Sequence, residues 1–337
     1  MIQTVAFPAR GRDLVLAMIA VFIACLFVPR QVKAQSLSWA AYDLPQIQQT
    51  TLKSAAGAPY RIILANPSGP APAAGYPVIY VVDGNAWTAL VSEIIRGNMG
   101  VGVQSRVEPA VVVGIGYPTD QAFDLTRRTL DFTSPLPPGH FDSNIRDPTG
   151  GDIALMDFID NVVKPVVEAR FKVDQTRQTL LGHSLGGLFT LLTMCNWPQS
   201  FQTYVALSPS IWWNHDALLQ EARQFVDKAD RPQKLRVFLS VGDLEQYMTP
   251  AYFNRTREVL RSSFDTEAKA DAEGDKEMRA MKSRTMVDNV RRMAKLLTAG
   301  HVQTKFVEFP DEDHFSVIPA ALGRAVPFAL GDDLPPN

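Results

Sequence analysis

Short, continuously hydrophobic runs alternate with helical patterns along most of this chain, and that alternation limits the folds open to it. Runs without polar–apolar alternation are typical of strands that are covered on both faces, as in parallel sheets. The seven predicted strands cover residues 60–67, 76–84, 109–118, 178–184, 202–210, 234–243 and 304–311. The sequence therefore predicts an α/β fold with a doubly wound, mostly parallel sheet and helices on both faces.

The segments between the predicted strands differ in character. Apolar residues recur near a period of 3.6 in Gly150–Phe171, and Pro165 is expected to kink or divide that helix. Residues 286–299 form a second amphipathic pattern that ends at Gly300. Residues 249–283 are rich in charge instead, and they predict either a solvated helical excursion or a lid over a site.

The first 34 residues have the pattern of a secretory signal peptide. Arg10 and Arg12 precede an apolar run over residues 14–28, and Val32-Lys33-Ala34 is a small-residue cleavage site. The run is short for a transmembrane helix, although an uncleaved N-terminal anchor is the alternative. We expect a mature domain of residues 35–337 that is periplasmic or secreted, with no stable membrane insertion once the signal is removed.

Charge and cysteine content exclude several kinds of partner. The 337 residues carry a formal net charge of −2 and no Lys/Arg-rich block, which argues against nucleic-acid binding. Only Cys195 remains once Cys25 leaves with the signal. An internal disulfide and a cysteine-based metal site are therefore excluded from the mature chain.

The stretch "LLGHSLGG", residues 180–187, contains a G-x-S-x-G motif centred on Ser184. A predicted strand leads into it and an apolar helix follows, which is the setting of a nucleophile elbow in α/β-hydrolases. Gly182 and Gly186 leave room for a strained serine backbone. The amide of Leu185, at the start of the helix, is a natural oxyanion donor.

A serine nucleophile needs a base and an orienting acid, and in this fold they follow it in the order acid, then histidine. His314 comes after the last predicted strand and is the expected base. The other histidines precede the serine, adjoin it or lie in earlier loops: His140, His183, His215 and His301. The spacing of three residues beyond Gly242 favours Glu245 as the acid, with Asp243 as the alternative.

A second oxyanion donor is expected in "DGNAWT", after the strand over residues 76–84. Gly84 permits close backbone approach, and the amide of Asn85 is placed to face an oxyanion. An ordinary D-G-N turn is the alternative interpretation.

Seven motifs occur one after another along roughly residues 55–330: "YVVDGNAW", "GIGYP", "RRTLDFTSP", "LLGHSLGG", "LSPSIWWN", "SVGDLE" and "FPDEDHFSVIP". Together they resemble the putative-esterase family of α/β-hydrolases. They look closest to the branch that includes periplasmic hydrolases of trilactone siderophores such as enterobactin and salmochelin.

The resemblance implies an enzyme that hydrolyses small-molecule esters without a metal or organic cofactor. It also implies a substrate role for Arg128, which lies three residues before Asp131 as in the family's R-x-x-D pattern. A structural ion pair between these two residues is the alternative. The chain departs from the family pattern D-[LF]-T-P just after this, because Ser134 stands between Thr133 and Pro135. Trp213 and its neighbour Trp212 are expected to stack aromatic groups of the substrate or to pack in the core.

The sequence thus predicts an exported serine ester hydrolase that acts through an acyl-enzyme on siderophore-type ester or lactone bonds. A broad carboxylesterase of the short-acyl or feruloyl type is the alternative within this class. A binding protein that retains the hydrolase fold without catalysis is the alternative from another class.

Overall fold

Eight strands form one sheet in the computed structural model, which describes residues 39–40, 44, 46–99, 107–136, 147–261, 264 and 266–331. The chain divides into two units after Asp43, and every element below belongs to the second, Leu44–Asn337. The strands are β1 (Ile47–Lys53), β2 (Pro59–Ala65), β3 (Tyr76–Val82), β4 (Val111–Gly116), β5 (Val173–His183), β6 (Thr203–Leu207), β7 (Arg236–Gly242) and β8 (Gln303–Phe309).

The strand order is β1-β2-β4-β3-β5-β6-β7-β8. β2 pairs antiparallel with both β1 and β4, and every other pairing is parallel. All seven predicted strands are found, and the predicted α/β fold with a mostly parallel sheet is confirmed. The carboxyl ends of β5 to β8 lie together at one edge of the sheet, where loops of such folds carry their sites.

Helices cover both faces of the sheet. Along β3, Tyr80 and Val82 belong to one buried cluster and Ile79 and Val81 to another, because successive side chains point to opposite faces. The helices are α1 (Gly84–Asn98), α2 (Leu125–Asp131), α3 (Asp152–Phe158), α4 (Lys164–Arg170), α5 (Leu185–Asn196), α6 (Ala217–Asp227), α7 (Pro250–Arg261), α8 (Glu267–Arg284), α9 (Met286–Ala299) and α10 (Val317–Leu330). α1 and α10 supply one cluster, whereas α3 to α6 and α9 supply the other.

The helix predicted over Gly150–Phe171 is divided, as Pro165 requires. A π-helical turn, Ile159–Val163, separates α3 from α4, and Pro165 occupies the first turn of α4. Proline has no amide to donate, so it is tolerated in a first turn but not in a continuous helix interior. The predicted interruption is confirmed.

The charged segment is helical, as predicted, and consists of α7 and α8. Ion pairs join the two helices, with Arg257 Nη2 at 2.5 Å from Asp275 Oδ1 and Arg261 Nη2 at 3.5 Å from Asp271 Oδ1. The segment also supplies Tyr252 and residues near the end of α8 to the wall of a cavity described below.

The predicted signal peptide, its cleavage site and the domain boundary at residue 35 lie outside the described residues, as do Cys25 and His140. Within the described ranges, no helix combines the length and apolar character needed to span a bilayer.

Candidate active site

A cavity of about 500 Å³ opens beside the carboxyl ends of β5 to β8. Its wall combines polar groups from the predicted site with aromatic side chains, among them Ser184, Glu245, His314, Arg128, Trp212 and Trp213. Among the residues that the structure describes, no group of three or more His, Cys, Asp or Glu is arranged to hold a metal ion.

Ser184 occupies a strained turn between β5 and α5. Its backbone has φ 61° and ψ −119°, a conformation that non-glycine residues seldom adopt without support from their surroundings. The Ser184 amide donates to the Leu207 carbonyl at 3.0 Å, which ties the turn to the end of β6. A Cβ at Gly182 would lie 2.1 Å from the Gly186 carbonyl oxygen, so the turn closes only with glycine there.

We expect Gly182→Ala to destabilise the protein by about 3 kcal/mol or more, because backbone must move to relieve the contact. Gly323→Ala is the matched control, since a Cβ there meets nothing within 4 Å in an exposed part of α10. That change should stabilise by about 0.5–1 kcal/mol through helix propensity. Urea unfolding of both variants measures the difference. Equal stability of the two would contradict the close approach at Gly182.

His314 bridges Ser184 and Glu245. Its Nε2 lies 2.9 Å from Ser184 Oγ, and its Nδ1 lies 2.6 Å from Glu245 Oε2. These three residues follow β5, β7 and β8, so the parallel sheet brings together positions that are far apart in sequence. The arrangement has the hydrogen-bond geometry of a nucleophile, a base and an orienting acid.

Glu245 is fixed by three hydrogen bonds and is only 1% exposed. Besides the contact with His314, its Oε1 accepts from Ser208 Oγ at 2.6 Å and from the Gly242 amide at 2.8 Å. Asp243, the alternative acid, makes no hydrogen bond to His314 within the described structure. The loop after β7 thus directs the third residue beyond Gly242 toward the histidine.

His183 supports the loop that carries His314. The His183 Nε2 lies 2.8 Å from the His314 carbonyl oxygen, and the two rings are 4.5 Å apart. Burial lowers the pKa of His183 well below its usual value, and the neighbouring His314 lowers it further. A neutral His183 with its proton on Nε2 donates to that carbonyl, so its role here is to hold a backbone in place.

Of the two backbone segments predicted to donate to an oxyanion, only the one at Leu185 lines the cavity. Leu185 lines the cavity at the start of α5, where first-turn amides have no acceptor within the helix. Gly84 packs closely on β4, with a virtual Cβ 2.6 Å from the Gly114 backbone. The Asn85 side chain binds Tyr117, accepting from its amide and donating to its carbonyl. Neither Gly84 nor Asn85 lines the cavity, and an oxyanion role for their amides stays a prediction.

Arg128 lines the cavity but is bound to Asp83. Its Nε and Nη2 lie 3.0 Å and 2.9 Å from the Asp83 carboxylate oxygens, and both residues are buried. Burial raises the pKa of Asp83, and the guanidinium opposes that shift. The alternative pairing of Arg128 with Asp131 is wrong, because Asp131 accepts from the Tyr60 hydroxyl and lies 3.7 Å from Arg127. The substrate role of Arg128 stays a prediction.

The two tryptophans of the cavity wall differ in how deeply they are buried. Trp213 is 3% exposed and belongs to the hydrophobic core, whereas Trp212 is half-buried. Arg284, at the end of α8, lies over the Trp212 ring with its guanidinium carbon 4.8 Å from the ring centroid. Three residues of the site, Arg284, Ser208 and Asp83, were not predicted from the sequence. Ser208 had one available signal, its position near the carboxyl end of the strand predicted over residues 202–210.

Comparison with known proteins shows that this chain is related to esterases that act on siderophores. The model of the family described as "Putative esterase" matches residues 54–287. The chain is 34% identical over 281 residues to the ferri-bacillibactin esterase BesA of Bacillus subtilis, covering 82% of this chain and 86% of that protein. It is 33% identical over 293 residues to the siderophore enterobactin esterase of Emericella nidulans, covering 80% and 89%.

A solved structure of another siderophore hydrolase has a similar fold. The siderophore hydrolase EstA of Aspergillus nidulans matches with a TM-score of 0.72 and 29% identity, over 87% of this chain and 98% of that one. The predicted resemblance to the siderophore-esterase branch is confirmed, and so is the predicted enzyme class, hydrolases of carboxylic esters. The chain belongs to the "Putative esterase" family of α/β-hydrolases.

Proposed function

We propose that this chain is an exported serine esterase that cleaves the ester or lactone bonds of siderophores. The observation that carries the proposal is the position of His314, which is hydrogen-bonded to Ser184 on one side and to buried Glu245 on the other. A serine hydroxyl becomes an effective nucleophile only when such a base accepts its proton. Export rests on the signal-peptide pattern of residues 1–34 and implies a periplasmic or secreted enzyme.

In the proposed reaction, Ser184 Oγ attacks the ester carbonyl carbon while its proton passes to His314 Nε2. The Leu185 amide donates to the resulting oxyanion. Collapse of this intermediate breaks the bond to the alcohol oxygen, which takes the proton from His314 and leaves an acyl group on Ser184. Water then attacks the acyl carbon, gives a proton to His314, and releases the acid as Ser184 regains its proton.

The substrate class is proposed from the relatives and the cavity together. The two relatives compared above are named for esterases of ferri-bacillibactin and of enterobactin. The cavity has room for part of a large ligand and presents both an aromatic face at Trp212 and arginine side chains. Aromatic rings and guanidinium groups suit ligands that carry aromatic, anionic acyl groups.

A substrate panel tests this proposal. The mature chain is offered a ferric trilactone siderophore, its iron-free form, a chromogenic acetate ester and a feruloyl ester. We expect kcat/KM for the siderophores to exceed that of the simple esters by about tenfold or more, because remote contacts contribute to transition-state binding. Faster cleavage of the simple esters would favour a broad carboxylesterase instead. Siderophore binding without cleavage of any ester would favour a binding protein.

A further inference from the structure

Among the residues that the structure describes, two arginines line the active-site cavity, and a carboxylate neutralises the charge of one of them. Arg128 contacts Asp83 through two nitrogens, so a carboxylate already neutralises it. Arg284 makes no ion pair and no side-chain hydrogen bond with any residue that the structure describes. Its guanidinium rests instead on the face of Trp212, at 4.8 Å. Of these two arginines, Arg284 is therefore the one whose donors are available to a ligand.

The backbone of Arg284 is held in place although its side-chain donors are free. It is the last residue of α8, and Thr285 follows in a left-handed conformation with φ 45°. The side chain of Asn289, which is 1% exposed, donates to the Arg284 carbonyl at 3.2 Å. A guanidinium stacked on an aromatic ring keeps its edge donors directed outward, and this is the arrangement that binds planar oxyanions.

Within the described ranges, two carboxylates besides Glu245 line the cavity, and each accepts hydrogen bonds from its neighbours. Asp147 accepts from the Thr126 hydroxyl at 3.0 Å. Asp313 accepts from the backbone amides of Phe315 and Ser316, each at 2.9 Å, and these bonds help to lower its pKa. Neither acid pairs with Arg284, so no carboxylate in the described part of the chain neutralises its charge at the cavity wall.

We infer that Arg284 and Trp212 form the subsite for the anionic acyl group of the substrate, an aromatic or chelated oxyanion group such as a catecholate. The ring stacks near Trp212, and the oxyanions accept from Arg284 while the ester carbonyl reaches Ser184. This inference rests on the proposed function and specifies its substrate as an anionic ester. Arg284 is a binding residue that discriminates between anionic and neutral esters.

The test compares Arg284→Gln and Arg284→Lys with Arg279→Gln. Arg279 lies on α8 as well, but it is exposed and does not line the cavity, so its loss changes the net charge equally. The substrates are a ferric catecholate trilactone and a neutral acetate ester, with binding of the ferric siderophore followed by tryptophan fluorescence. We expect Arg284→Gln to raise KM and Kd for the ferric siderophore about tenfold, with kcat changed much less.

The selectivity for the anionic over the neutral ester should fall by about the same factor, with partial recovery in Arg284→Lys. Arg279→Gln should retain wild-type values. The inference fails if Arg284→Gln lowers kcat/KM equally for the siderophore and the acetate ester. It also fails if Arg279→Gln lowers kcat/KM for the siderophore as much as Arg284→Gln does. A wild type that cleaves acetate but neither binds nor cleaves the siderophore overturns the proposed substrate and this subsite together. A wild type that cleaves the siderophore, with Arg284→Gln unchanged, overturns the subsite alone.

Discussion

Replacing Ser184 by alanine is expected to lower kcat for ester hydrolysis by about 10⁴- to 10⁶-fold. The reason is that the acyl-enzyme cannot form without Oγ, which lies 2.9 Å from the His314 Nε2 that would accept its proton. Steady-state rates with the acetate ester and with the siderophore measure the loss. Residual rate should remain only from oxyanion stabilisation and substrate binding.

Ser210→Ala provides the matched control for that variant. The Ser210 hydroxyl lines the same cavity and lies 3.5 Å from Ser184 Oγ, but in the described structure it makes no hydrogen bond to His314. We expect its removal to cost less than about tenfold, the cost of one modest hydrogen bond. Comparable losses in the two variants, or turnover by Ser184→Ala close to that of wild type, would contradict the assignment of Ser184 as nucleophile.

Glu245→Gln should lower kcat by about 10³- to 10⁴-fold while the protein remains folded. Glutamine keeps the size of the side chain but loses the charge that stabilises a protonated His314 during the reaction. The amide can also present NH₂ to His314 Nδ1, which selects the wrong tautomer of the ring. Activity across a pH series, with thermal unfolding as a check on folding, measures the effect.

Asp243→Asn separates the two carboxylates of the loop after β7. Asp243 and Glu245 lie two residues apart in one short 3-10 turn, but of these two only Glu245 is hydrogen-bonded to His314. We therefore expect a change of less than about threefold in kcat for Asp243→Asn, within the range of a peripheral charge. A larger loss at Asp243 than at Glu245 would reverse the assignment of the acid.

The fold was largely predictable because its strands are buried on both faces. Continuous apolar runs such as Val111–Gly116, which is buried throughout, are typical of interior strands. The strand that the prediction missed is β1, "IQQTTLK", an edge strand in which most side chains are exposed. Its polar composition resembles that of a loop, and only pairing with β2 makes it a strand.

The candidate site was predictable where local sequence carries the information. The elbow at Ser184 is encoded by adjacent glycines, and the positions of Glu245 and His314 follow from the chain order of the fold. Arg128 illustrates the limit, because its partner Asp83 lies 45 residues away and only the folded chain brings them together. The contact of Arg284 with Trp212 likewise joins a charged helix to a loop, and no sequence spacing indicates it.

The most direct test is the identification of the residue that carries the acyl group. Wild-type protein is mixed with excess trilactone siderophore, quenched in acid during turnover, and digested for mass spectrometry. We expect an adduct on the peptide that contains Ser184, with a mass gain equal to that of the intact trilactone, because ring opening by Oγ adds the whole molecule and releases nothing. An adduct on a different residue, together with wild-type turnover by Ser184→Ala, would contradict it.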